Sequence, residues 1–144
     1  MTIEEVFEHW EIDSKVDKTE VSWEAAKVST LQYKYRKMYS IQNLLLKKEE
    51  TRLAKLKLEK HEFYTQGPSS ETPKDWEYPA IGKILNKDLD LYMNADKQIV
   101  EQVLKIAYQR EIVDTLKQII DSISNRSYLL NSIVAWESFL AGAT

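Results

Sequence analysis

Histidine and cysteine carry much of the nucleophilic, acid–base and zinc chemistry of proteins, and this chain has two histidines, His9 and His61, and no cysteine. The pair His61-Glu62 resembles the start of a zincin motif, but position 65 is threonine and no second histidine completes it. A metal would have to be held by carboxylates alone, and Glu49/Glu50 and Asp88/Asp90 read as ordinary helix-surface charge. Gly82 and Gly142 stand alone, so there is neither a Walker-type loop nor a dinucleotide fingerprint. No serine has a partner histidine that can be argued from the sequence. The chain reads as a non-enzyme with no metal and no cofactor.

What remains is charge. The net of −3 over 144 residues hides an uneven distribution. Residues 1–33 carry a net of −5 and residues 61–144 a net of −4, whereas residues 34–60 carry a net of +6 from nine basic and three acidic side chains. On a helix of 100° per residue, Lys34, Lys37, Lys48, Arg52 and Lys55 fall within about 60° of one another, about 90° round from the apolar face. Lys57 and Lys60 lie on other sides and widen the positive surface. A phosphate backbone would fit such a stripe, and the following Phe63 and Tyr64 are aromatics of the kind on which single-stranded bases stack. From charge pattern alone, a solvated helix face fits equally well, and Phe63 suits the core better than a base. No Arg or Asn set is organised for reading duplex bases.

The elements that must carry these residues are helical. Three glycines and three prolines favour few, long elements. Thr2 and Glu5 predict a capping box for a short first helix carrying Ile3, Val6, Phe7 and Trp10, and Asp17 or Thr19 can cap the next element. From Val21 to Tyr64 there is no proline or glycine. Val28, Leu31, Tyr35, Met38, Leu46, Leu53 and Leu56 share a face, predicting one long helix rather than a break near residues 38–43. Residues 66–80 hold all three prolines, with Gly67 suited to end the helix and with Trp76 and Tyr78 needing somewhere to pack. A modest helix over 81–93 should follow, then a longer one capped by Asn94 with Ile99, Val100, Val103, Leu104, Ala107, Val113, Leu116, Ile119, Ile120 and Ile123 on its apolar positions. In the last helix Leu129, Leu130, Ile133, Val134, Trp136, Phe139 and Leu140 leave little polar surface, which suits a core helix or a subunit interface alike. The division expected is 1–66 as a helical region with the basic helix, 67–80 as linker and 81–144 as a second helical region. No apolar run is long enough to span a bilayer and no secretion signal is evident, so a protein of the cytoplasm, off the membrane, is expected.

Several segments taken together carry a resemblance. "SWEAAKVSTLQYKY", the basic run ending "EKHEFYTQG", "MNADKQIVEQVLK" and the terminal "SNRSYLLNSIVAWESFLAGAT" resemble, in order and spacing from about residue 12 onward, the UvsY recombination-mediator family of T-even-like bacteriophages. The resemblance implies an all-α protein that assembles into a ring of six or seven subunits and binds single-stranded DNA. It also implies that the protein helps load a RecA-like recombinase onto strands coated by single-strand DNA-binding protein, in the cytoplasm of an infected bacterium. The family's DNA-contacting stretch has a basic–x–basic pattern before paired aromatics and a glycine. Here Lys60 matches the second basic position, Leu58 stands at the first with Lys57 beside it, and Phe63-Tyr64 are the aromatics. The expected DNA contacts are therefore Lys48, Arg52, Lys55, Lys57, Lys60 and Tyr64. The family's C-terminal helix is associated with self-assembly, so Ile120, Ile123 and the apolar residues from Leu129 to Leu140 are expected at the subunit interface. The competing class is a helical scaffold or adaptor whose basic stripe meets an acidic protein.

Overall fold

The computed structural model describes residues 1–142, and the described residues contain helices and no strand. The final two residues of the 81–144 region lie outside the described residues. Five α-helices follow in order: α1 (Ile3–Asp13), α2 (Val21–Gln66), α3 (Leu89–Ala95), α4 (Lys97–Ser124) and α5 (Arg126–Leu140), with a 3-10 turn at Asn86–Asp88 before α3. The expected capping box forms. The Thr2 hydroxyl accepts from the Glu5 amide at 3.1 Å, and the Glu5 carboxylate accepts from the Thr2 amide at 3.2 Å. With no proline or glycine to interrupt it, α2 runs unbroken for 46 residues. It stops where Gly67 takes a φ of +84°, its amide donating back to the Phe63 carbonyl.

Two sequence expectations need correction. Residues 81–85 are not helical, so the element predicted over 81–93 shrinks to the 3-10 turn and α3. The cap of α4 is Asp96, not Asn94. Its backbone is extended, and its carboxylate accepts from the Ile99 amide at 2.9 Å, satisfying one of the helix's orphan donors.

The chain packs as two compact units, residues 1–44 with 109–144 and residues 45–108, so that both units draw on α2 and α4 and the Pro-containing segment lies within the second. In the first unit, Val6 of α1, Leu31 and Tyr35 of α2, and Ile112, Leu116, Ile119 and Ile123 of α4 form the core, flanked by Ile3, Trp10, Val28, Met38, Tyr39 and Ile120. Asp13, at the end of α1, ties that helix to α2 and α5. Its carboxylate accepts from Lys34 at 2.6 Å and Tyr35 at 2.8 Å, while its carbonyl accepts from Arg126. Gln109 donates to both the carbonyl and the side-chain oxygen of Gln42, which is buried.

In the second unit Phe63, Tyr64 and Ile84 form a small core with Trp76, Tyr78, Leu89, Tyr92 and Met93 around it. Trp76 and Tyr78 meet Phe63 edge-on at 5.4 and 5.5 Å, so the Pro-containing segment is anchored by its aromatics. A polar rung of the same design as Gln42–Gln109 occurs here too: Gln102 donates to both the carbonyl and the carboxylate of Glu49. Among the described residues, no helix is long and apolar enough to cross a membrane.

Candidate nucleic-acid interface

In the second unit α2 presents its cations unequally. Lys48 and Lys57 are exposed and have no acidic partner among the described residues. Lys55 is 79% exposed and loosely paired with Glu59 at 3.9 Å, one helical turn on. Arg52 is drawn down to Glu49 at 3.0 Å. Hydrogen bonding from Gln102 holds the Glu49 carboxyl below its usual range against the opposing effect of burial, with the charges of Lys105 and Arg52 adding to it. Among the α2 cations of this unit, Lys48 and Lys57 are therefore free to meet an anion and Lys55 is the next most open. Surface pairs of this kind are worth at most about 1 kcal/mol and yield readily to a phosphate.

Lys60 and Tyr64 are corrections. Lys60 is 1% exposed, and its ammonium lies 2.9 Å from the Asp96 carboxylate and 2.6 Å from the Gln98 side-chain oxygen. The Trp76 ring covers it at 3.9 Å from the centroid. Tyr64 is buried beside it and donates to the same carboxylate at 2.6 Å. Burial would raise the Asp96 carboxyl, but the hydrogen bonds from Tyr64, the Ile99 amide and Lys60, with the Lys60 charge, outweigh it and keep it low. Burial, followed by the bond to Asp96, pushes the Tyr64 phenol far above its ordinary value, so it stays neutral. Neither side chain can reach a strand outside the unit. They lock the end of α2 to the start of α4 and to Trp76. The sequence did hold a signal for this. On the 100° wheel Lys60 falls at the angle of Gln42 and within about 20° of Tyr35 and Leu53, in the middle of the apolar arc. Leu58, at the family's first basic position, is 61% exposed.

In the first unit Lys34 is committed to Asp13, whereas Arg36 and Lys37 are exposed with no acidic partner among the described residues. Of the residues expected at a subunit interface, Ile123 and Leu130 are buried within this unit and Ile120 packs against its core, so these three serve the chain's own fold. Ile133 is half-buried. Leu129, Val134, Trp136, Phe139 and Leu140 are all exposed, with the Trp136 and Phe139 rings stacked at 5.5 Å. Among the described residues no group of three metal-ligating side chains converges.

Comparison with known proteins gives the same direction. A family model described as "Recombination, repair and ssDNA binding protein UvsY" matches residues 9–143. A crystal structure of the bacteriophage T4 recombination mediator protein UvsY superposes with a TM-score of 0.85 at 18% identity, over 98% of each chain. A second lattice form of the T4 protein gives 0.77 at 19% identity, covering 96% of this chain and 98% of that one. No curated protein matches.

Proposed function

The chain belongs to the UvsY family of recombination, repair and single-stranded DNA-binding proteins, and from that premise we propose that it is a recombination mediator that binds single strands through the outer surface of α2. The observation that carries the site is the exposed stripe of Lys48 and Lys55, with Arg52 recruited from its pair with Glu49 and Lys57 exposed further round the helix, in a chain of net charge −3. Each protomer neutralises a few phosphates and releases their counterions. Self-assembly into a ring of six or seven copies repeats those contacts, and the avidity of many weak contacts holds the strand. The exposed Leu129, Val134, Trp136, Phe139 and Leu140 support self-association, because water is a poor solvent for so apolar a helix face. Held along such an assembly, in the cytoplasm of the infected host, the strand is loosened from its coating single-strand DNA-binding protein and offered to a RecA-like recombinase. No catalytic step is required of the chain.

A labelled oligothymidine titrated at several salt concentrations tests the site. The triple variant Lys48→Glu, Lys55→Glu, Lys57→Glu should bind at least tenfold more weakly. Its log-affinity should also fall less steeply with log salt, by about 0.7 for each phosphate that is no longer neutralised. Equal affinity in that variant would move the site elsewhere. No binding by the unaltered protein even at low salt would leave the scaffold reading.

A further inference from the structure

We propose that Tyr33, Arg36 and Lys37 in the first unit form a second single-strand contact, with the Tyr33 ring as the surface on which a base stacks. This second contact rests on the DNA-binding reading and extends it to a part of α2 outside the Lys48–Lys57 stretch.

Stacking requires an accessible ring face, and Tyr64 does not offer one. Tyr33 is 69% exposed. At i, i+3, i+4 and i+7, Tyr33, Arg36, Lys37 and Ser40 share one face of α2, within about 100° of arc and opposite the side carrying the buried Leu31, Tyr35 and Gln42. All four are exposed. Neutralisation within the helix is impossible there, because residues 25–44 contain no aspartate or glutamate. The nearby cations illustrate the difference: Lys27 pairs with Glu24 and covers the Trp23 ring at 5.7 Å, and Lys34 pairs with Asp13. Among the described residues Arg36 and Lys37 have no such partner, and no cation covers Tyr33 although Lys37 stands four residues on, as Lys27 does from Trp23.

An open aromatic ring beside two uncompensated cations is the chemistry of sequence-tolerant single-strand binding. The guanidinium and ammonium meet phosphates, and the ring meets whichever base lies between them. Charge complementarity selects a polyanion, and the uncovered ring selects one whose bases are unpaired. A duplex keeps its base faces stacked and would use only the charges.

Because all three side chains are exposed, their substitution spares the core. In oligothymidine binding at fixed salt, Tyr33→Ala should lose about tenfold in affinity with an unchanged salt slope, and Tyr33→Phe should bind like the unaltered protein. The double variant Arg36→Gln, Lys37→Gln should instead lower the salt slope by about 1.4, two phosphates at about 0.7 each. On an abasic oligonucleotide of the same length, Tyr33→Ala and the unaltered protein should bind equally. Equal oligothymidine binding by Tyr33→Ala would overturn the proposal, as would an equal loss on the abasic strand or a changed assembly mass by light scattering. The unaltered protein is the internal control. If it fails to bind oligothymidine, the DNA-binding reading fails; if it binds and these variants do not differ from it, only this second contact fails.

Discussion

Lys60 illustrates how a side chain's chemistry depends on what surrounds it. Its formal charge belongs to the positive segment of α2, yet the ammonium is spent on Asp96, Gln98 and the Trp76 ring. Removing one partner of a buried pair leaves the other charged and desolvated. Lys60→Ala should therefore cost about 3–5 kcal/mol of stability, seen as a lower urea midpoint, whereas Lys60→Met combined with Asp96→Asn should cost much less. If Lys60→Ala unfolds at the same urea concentration as the unaltered protein, the clamp is not structural. A second residue-scale expectation concerns pH. Asp96 and Asp13 both titrate below the ordinary aspartate value of 3.8, because hydrogen bonds and lysine charge outweigh burial. The stability they contribute is complete above that value and is lost as the pH falls below it, through their lower folded-state values. Chemical denaturation from pH 6 to pH 2 should show a flat region and then a decline beginning near pH 4. For Asp96→Asn the decline should be shallower.

At the scale of elements, α2 and α4 are stitched within each unit by buried polar rungs, and the rungs are spaced by seven residues in both helices: Gln42 and Glu49 on α2, Gln109 and Gln102 on α4. A polar rung in an apolar seam contributes little net stability but penalises every register that would leave it unpaired. Gln109→Ala leaves the side-chain oxygen of the buried Gln42 without its donor, while the Gln42 carbonyl keeps its bond within α2, and should destabilise the first unit by about 1–3 kcal/mol, read by hydrogen exchange of amides in 31–44 and 112–123. Exchange rates there that match the unaltered protein would show that the rung is dispensable. On α2 the buried polar residues Glu24, Gln42, Glu49 and Lys60 all fall within about 20° on the wheel, in the apolar arc. Their positions along the chain are enough to reveal that coincidence. It marks them as packed, because a solvated polar residue has no reason to keep the core's angle.

For the molecule as a whole, the acidic composition and the basic helix face are compatible because charge acts locally, within about a Debye length of 8–10 Å. The exposed apolar residues of α5 support the proposed self-assembly in the same local way. Removing residues 127–144 should yield smaller species by light scattering while leaving the second unit's aromatic cluster intact. An unchanged assembly mass would place the subunit contact elsewhere. Leu130 is buried in the first unit, so the truncation also exposes part of that core. The milder Trp136→Ser, Phe139→Ser variant separates the two effects: both rings are exposed, so their replacement should reduce only the mass.

The sequence alone determined the elements whose causes are local. The capping box at Thr2 and Glu5, the uninterrupted α2 and the glycine stop at residue 67 follow from hydrogen-bonding groups and backbone freedom within a few residues. The all-α character followed from the scarcity of glycine and proline and the helical spacing of apolar residues, and the family from the resemblance that several segments carry together. Tertiary structure decided which charges are free. Lys57 and Lys60 lie three residues apart and are alike in a charge count, yet one is exposed and the other is enclosed by Asp96, Gln98 and Trp76, brought to it from as many as 38 residues away. Likewise Ile123 and Leu129 are both apolar helix positions, and only packing against α1 and α2 made the first a core residue. The helical wheel places Lys60 at the core's angle, but the partners that close over it come from distant parts of the chain, and no local pattern names them.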